Sequence, residues 1–128
     1  MSPSVSLKFM SGPRDGEIVS LEGKGVPPVV EVGRSVPDGG LALPWDPDVS
    51  RTHARLVLRQ EGWWLEDAGS RNGTFLGEFA AAKKLTAPVC VAPGQVFRCG
   101  LTRLRIEPKA VPTVSALAAA TRSSQPES

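Results

Sequence analysis

Histidine and cysteine are scarce in this sequence. Its 128 residues include one histidine, His53, and two cysteines, Cys90 and Cys99. No CxxC pair occurs, so no metal site or cofactor is expected, and two cysteines do not make a disulfide framework. Two reduced, half-buried thiols in a cytoplasmic protein are the expectation. The chain also lacks any apolar run near the ~18 residues of a membrane span. Its opening, MSPSVSLKFMSGPRDGE, has neither a basic stretch leading into an apolar one nor a cleavage signal, so membrane insertion is not expected. An excess of one charge is missing too. With 15 Lys and Arg against 13 Asp and Glu, the net charge is +2. That is too little for a general nucleic-acid binder, and any preference for anions must come from local clustering.

Long helical periodicity is absent as well. Instead, 13 glycines and 12 prolines punctuate short segments. VSLKFM at 5–10 alternates Val5, Leu7 and Phe9 against Ser6, Lys8 and Met10. GPRDGE then reads as a turn into EIVSL at 17–21. In VVEVGR at 29–34, Val30 and Val32 can face inward while Glu31 faces solvent, and LAL at 41–43 is short and apolar. From His53 to Arg59 the alternation is clean, with Ala54, Leu56 and Leu58 on one face. A turn at 61–62 leads into WWLED, where Trp63 and Leu65 share a face, and VCV, QVFRC and TRLRIE complete the pattern. AAAKK at 80–84 has local helix character but is too short to be stable alone. Many short strands with turn signals every ~8–12 residues predict an all-β sandwich or barrel. Beyond Pro108 the sequence is small, polar and low in complexity. The expected organisation is one domain over 1–108 and a disordered tail or linker over 109–128.

VSRTHARL at 49–56 raises a catalytic question, because Ser50 precedes His53 by three positions and Asp46 and Asp48 lie just upstream. A Ser–His–Asp site needs hydroxyl and imidazole within hydrogen-bond reach. On a strand, positions three apart point to opposite faces, and only a helix or a sharp turn would bring them together. The G-x-S-x-G elbow is also missing, so no enzyme is expected.

A different grouping is more coherent. Arg34 ends a strand, Ser50 and Arg51 begin another, and Ser70, Arg71, Asn72 and Gly73 occupy a third connection. Arginine forks and hydroxyls suit a tetrahedral oxyanion, and a phosphorylated side chain offers charge and several acceptor oxygens. Arginines at strand ends are also ordinary solvated residues, and Asn72-Gly73 is a common hairpin turn without any ligand. Spacing alone leaves both readings open.

These residues resemble those of the forkhead-associated (FHA) domain, a phosphothreonine-recognition module, over about Val5 to Glu107. Gly33-Arg34 ends the third strand, and Ser50-Arg51-Thr52-His53 is similar to the family's S-x-x-H. Asp67 through Thr74 is similar to its D-x-x-S-x-N-G-T, and Pro93-Gly94-Gln95, Gly100 and Leu104 resemble its closing strands. The resemblance implies a two-sheet β-sandwich of about eleven strands, FHA/SMAD-like, with ligand loops at one end. It implies that Arg34, Ser50, Arg51 and Arg71 contact the phosphate and that Asn72 hydrogen-bonds the peptide main chain. Gly33, His53, Ser70 and Gly73 would support the site, His53 as a buried brace for the Ser50 loop.

The implied partner is a threonine-phosphorylated protein, a Ser/Thr kinase or its substrate; neither nucleic acid nor membrane is implied. The alternative is a phosphate-independent scaffold of a secretion, cell-division or similar assembly, which an exposed apolar patch on one sheet would favour. Two features depart from the pattern. Leu76-Gly77-Glu78 stands where the family commonly has a second Asn-Gly. PDGGLALPWDPD at 37–48 contains Trp45, which is either exposed to shape flanking-residue selectivity or packed under the loop. Thr113 and Thr121, if phosphorylated, would be ligands within the chain itself.

Overall fold

The computed structural model describes residues 3–36, 39–60, 62–78 and 81–108. The expected tail over 109–128, with Thr113 and Thr121, lies outside the described residues. Eleven strands form two sheets, and the described residues include no α-helix. In chain order they are β1 (Ser4–Phe9), β2 (Ile18–Glu22), β3 (Val29–Gly33), β4 (Leu41–Ala42), β5 (Ala54–Arg59), β6 (Gly62–Asp67), β7 (Thr74–Leu76), β8 (Lys83–Lys84), β9 (Val89–Cys90), β10 (Val96–Cys99) and β11 (Thr102–Glu107). The six-stranded sheet runs β2-β1-β11-β10-β7-β8 and the five-stranded sheet β4-β3-β5-β6-β9. Every pairing is antiparallel except β3 with β4.

The core follows from the period-2 alternation. Val5, Leu7 and Phe9 of β1 and Leu104 and Ile106 of β11 face Val30 and Val32 of β3 and Leu56 and Leu65 of β5 and β6; all are buried. Burying each such side chain contributes roughly 1.5–3 kcal/mol. The loops after β1, β3, β4, β6 and β10 meet at one end of the sandwich. Hydrogen bonds tie them together: Ala68 N–H to the His53 carbonyl at 2.9 Å and Arg103 N–H to Ser11 Oγ at 3.0 Å.

Two expectations, on residues 50–53 and on the thiols, need correction, and two readings that the sequence leaves open, AAAKK and Trp45, are decided. Residues 50–53 do not extend β5, which starts at Ala54; the Ser50 amide bonds back to His53 Nδ1 at 3.0 Å and bends the chain sharply. Within AAAKK, Lys83–Lys84 form β8, because the edge of β7 supplies partners that a one-turn helix cannot: Lys84 lies opposite Phe75, and Leu85 N–H donates to the Thr74 carbonyl at 2.8 Å. The thiols are not both half-buried. Cys99 is on the core face of β10 and buried, whereas Cys90 is exposed on edge strand β9. Trp45 is half-buried and packs on Phe9 with ring centroids 5.8 Å apart, so it lies under the loop.

Candidate functional site

Three connections supply the predicted residues, and backbone hydrogen bonds hold them side by side. Arg34 N–H donates to the Ser50 carbonyl at 3.0 Å, and Ser35 N–H donates to the Arg51 carbonyl at 3.1 Å. The β3 exit is thereby zipped to the segment before β5. Gly33 permits this approach: a Cβ there would stand 2.2 Å from the Arg51 carbonyl oxygen. The 68–73 connection joins through Arg71 N–H, which donates to Ser50 Oγ at 3.0 Å. Asn72 Nδ2 adds a bond to the Asp48 carbonyl at 2.9 Å.

His53 is the brace between these loops. Its ring is fully buried. Nδ1 accepts the Ser50 amide at 3.0 Å, so Nε2 carries the proton and donates to the Gly73 carbonyl at 2.8 Å. Both ring nitrogens are committed to backbone groups. Ser50 therefore meets His53 through its amide, while its hydroxyl oxygen accepts from Arg71. The sharp turn that would unite the two residues is present, yet it does not make a nucleophile–base pair.

Asp67 organises the third connection. Its carboxylate accepts from the Ser70 and Gly69 amides, each at 3.0 Å, from Ser70 Oγ, and from Thr74 Oγ1 at 2.7 Å. Partial burial alone would raise its pKa, but the bonds from Ser70 and Thr74 and from the two amides outweigh it and hold the carboxyl below its usual range. Ser70 Oγ in turn accepts Gly73 N–H at 2.9 Å, and Gly73 takes a φ of +87°, which favours glycine.

The outcome is an exposed cluster of donors on a rigid base. Arg34, Arg51, Arg71 and Asn72 are exposed, Ser50 and Ser70 are half-buried, and Gly33, His53 and Gly73 are buried. Among the described residues the guanidinium groups of Arg34, Arg51 and Arg71 have no ion pair. Ser50, having accepted one N–H, keeps its own O–H to donate. Three cations and a hydroxyl donor at one sandwich end can hold a compact polyanion such as a phosphate monoester.

Asp46 escaped the sequence reading except as a possible triad acid. It is buried, and its carboxylate accepts from Asp48 N–H at 3.0 Å and from Leu101 N–H and Thr102 Oγ1, each at 2.8 Å. It fixes the loop before Ser50 to the β10–β11 turn. Nothing local marks this role, because those partners lie 55 and 56 positions away. The Asp67–Ser70 capping spacing, by contrast, is a legible turn signal.

The comparisons agree with this fold. The family model described as "FHA domain" matches residues 30–100. The FHA domain-containing protein FhaB of Mycobacterium tuberculosis is 39% identical over 79 residues, covering 62% of this chain and 47% of that protein. Of the first two curated relatives matched, the chain spans only 24% and 47% of their lengths. Among solved structures, an FHA domain from an Arabidopsis thaliana hypothetical protein superposes with a TM-score of 0.70 at 28% identity, covering 88% of this chain and 91% of that one. A structure described under phosphothreonine-dependent FHA domain interactions superposes with a TM-score of 0.63 at 26% identity, covering 85% of this chain and all 100% of that one.

Proposed function

Because the chain belongs to the FHA domain family, we propose that residues 1–108 form a non-enzymatic, phosphothreonine-dependent protein-interaction module acting in Ser/Thr kinase signalling in the cytoplasm. The observation that carries this reading is the hydrogen-bonded convergence of the Arg34, Ser50–Arg51 and Arg71 backbone segments at one end of the sandwich, each arginine exposed. Arg34, Ser50, Arg51 and Arg71 bind the phosphate in this reading. Asn72 binds the peptide main chain through the amide oxygen and the second N–H that its bond to Asp48 leaves over. Gly33, His53, Ser70 and Gly73 hold the loops in place. The partner is a threonine-phosphorylated protein, a kinase or its substrate.

Charge-assisted hydrogen bonds contribute roughly 1.5–3 kcal/mol each. A few such bonds, offset by the cost of ordering an extended peptide, suit a dissociation constant on the order of micromolar, equivalent to about 8 kcal/mol. Fluorescence anisotropy with degenerate peptide pools built around phosphothreonine, phosphoserine or unmodified threonine tests the reading. Micromolar binding restricted to the phosphothreonine pool supports it, and no binding to any pool by a folded sample refutes it.

The phosphate-independent scaffold is favoured by one observation. On the outer face of the five-stranded sheet, Val29, Val57, Trp64 and Cys90 lie opposite one another across four strands. This apolar row is narrow, since Val57 is only 5% exposed and Val29 and Trp64 are half-buried.

A further inference from the structure

Asp46 puts a carboxylate into the interior at the site end of the sandwich. The residue is 3% exposed, and among the described residues it has no ion pair. Burying such a group is costly unless hydrogen bonds satisfy its oxygens. Its two oxygens face different partners. Oδ1 accepts Asp48 N–H at 3.0 Å, in the loop that leads to Ser50. Oδ2 accepts Leu101 N–H and Thr102 Oγ1, each at 2.8 Å, from the β10–β11 turn. That turn closes on the carboxylate with no side chain between them. A Cβ on Gly100 would stand 3.0 Å from both oxygens and 2.8 Å from Val49 Cγ2, and Val49 is itself fully buried. One side of the carboxylate is therefore fixed to the core through β11, and the other side holds a surface loop.

The held loop reaches Asn72. Asp48, whose N–H is bound by Asp46 Oδ1, accepts Asn72 Nδ2 through its carbonyl at 2.9 Å. Val49 N–H also donates to the Asp46 carbonyl at 3.2 Å, so residues 46–49 form one closed turn. Asn72 is exposed, and the bond to Asp48 is what fixes the direction of its amide among the described residues. We propose that Asp46 is a positioning residue for the ligand: through Asp48 it holds the Asn72 amide in the orientation that binds the peptide main chain. The proposal rests on the phosphothreonine reading and adds to it a buried residue that never touches the ligand. Its physical basis is preorganisation. A side chain that must be ordered when the peptide arrives costs affinity, and one already fixed does not.

The test compares Asp46→Asn with Thr102→Val in the full chain, by thermal unfolding and by anisotropy with a labelled degenerate phosphothreonine peptide pool. Asparagine keeps one acceptor oxygen. Set toward Leu101 and Thr102 it satisfies two donors, and its amide group then faces Asp48 N–H, so the bond on the site side is lost. Valine at 102 removes one donor on the core side and leaves the Asp48 bond in place. Both variants should melt below wild type. At a temperature where both are folded, D46N should bind the pool about tenfold more weakly, and T102V within about threefold of wild type. Wild-type affinity in D46N, or a loss in T102V as large as in D46N, overturns the positioning role and leaves the phosphothreonine reading standing. Where D46N fails to fold, amide exchange in the wild-type protein decides. Saturating phosphopeptide should slow exchange of the Asp48 and Leu101 amides by about threefold or more, and unchanged rates overturn the proposal. No binding of the pool by the wild-type protein overturns both.

Discussion

Replacing His53 with alanine should unfold the site end of the sandwich far more easily. The ring is fully buried and makes two backbone bonds, at 3.0 Å to the Ser50 amide and 2.8 Å to the Gly73 carbonyl. Alanine leaves both groups without that partner, at about 1–3 kcal/mol each, and opens a cavity the size of an imidazole. The expected loss is about 3–5 kcal/mol. For a domain of this size each kcal/mol lowers Tm by roughly 4–8 °C, so thermal unfolding followed by circular dichroism should shift down by about 12–40 °C. Asparagine at the same position can still accept the Ser50 amide through Oδ1 but cannot span to Gly73, so His53→Asn should fall between wild type and alanine. A Tm for His53→Ala within about 3 °C of wild type would refute the bracing role and, with it, the claim that this ring holds the Ser50 and Gly73 loops together.

Arg34→Ala should abolish measurable phosphopeptide binding by anisotropy while leaving Tm nearly unchanged, because its exposed guanidinium has no ion pair to lose among the described residues; wild-type affinity in that variant removes Arg34 from the site. Asp67 makes stability fall on the acid side. Its carboxyl is held below the usual 3.8, so its contribution is fully present above that value and is lost as pH falls through the lower folded value. Asp67→Asn should be less stable at neutral pH and show a flatter denaturant midpoint below about pH 5; an unchanged acid limb contradicts the network. The thiols should separate cleanly under an aromatic disulfide reagent. Exposed Cys90 reacts in the native protein, whereas burial foremost, together with the charges of Asp67 and Asp46, pushes the Cys99 thiol up and shields it until unfolding. Two equivalents reacting at one fast rate in the native protein would contradict the buried position of Cys99.

The strands were legible wherever a single segment carried its own pattern. Ala54 to Arg59 alternates within six residues, so β5 could be read without knowing its neighbours. β8 could not, because AAAKK favours a helix locally and only the free edge of β7 makes Lys83–Lys84 extended. At the candidate site, the residue types and the Asp67–Ser70 turn were visible in the chain. The turn joining Ser50 to His53 was not, because it is made by a backbone amide that has no letter in the sequence. Asp46 was hidden for a different reason. A carboxylate between two prolines looks solvated until the β10–β11 turn closes over it with Leu101 and Thr102.

Sequence alone therefore determined the class of the fold, the positions of the turns marked by glycine and proline, and the set of arginine, serine and asparagine residues available for an anion. Those properties depend on periodicity and backbone preference over a few neighbouring residues. Tertiary structure decided that Arg34, Ser50 and Arg71 are neighbours, that His53 serves two backbone groups, and that Lys8, Arg105, Arg98 and Arg103 stack as like charges on one face. Each of these depends on strand register. Register is set by which distant segments pair, and a shift of one residue would send every side chain to the opposite face.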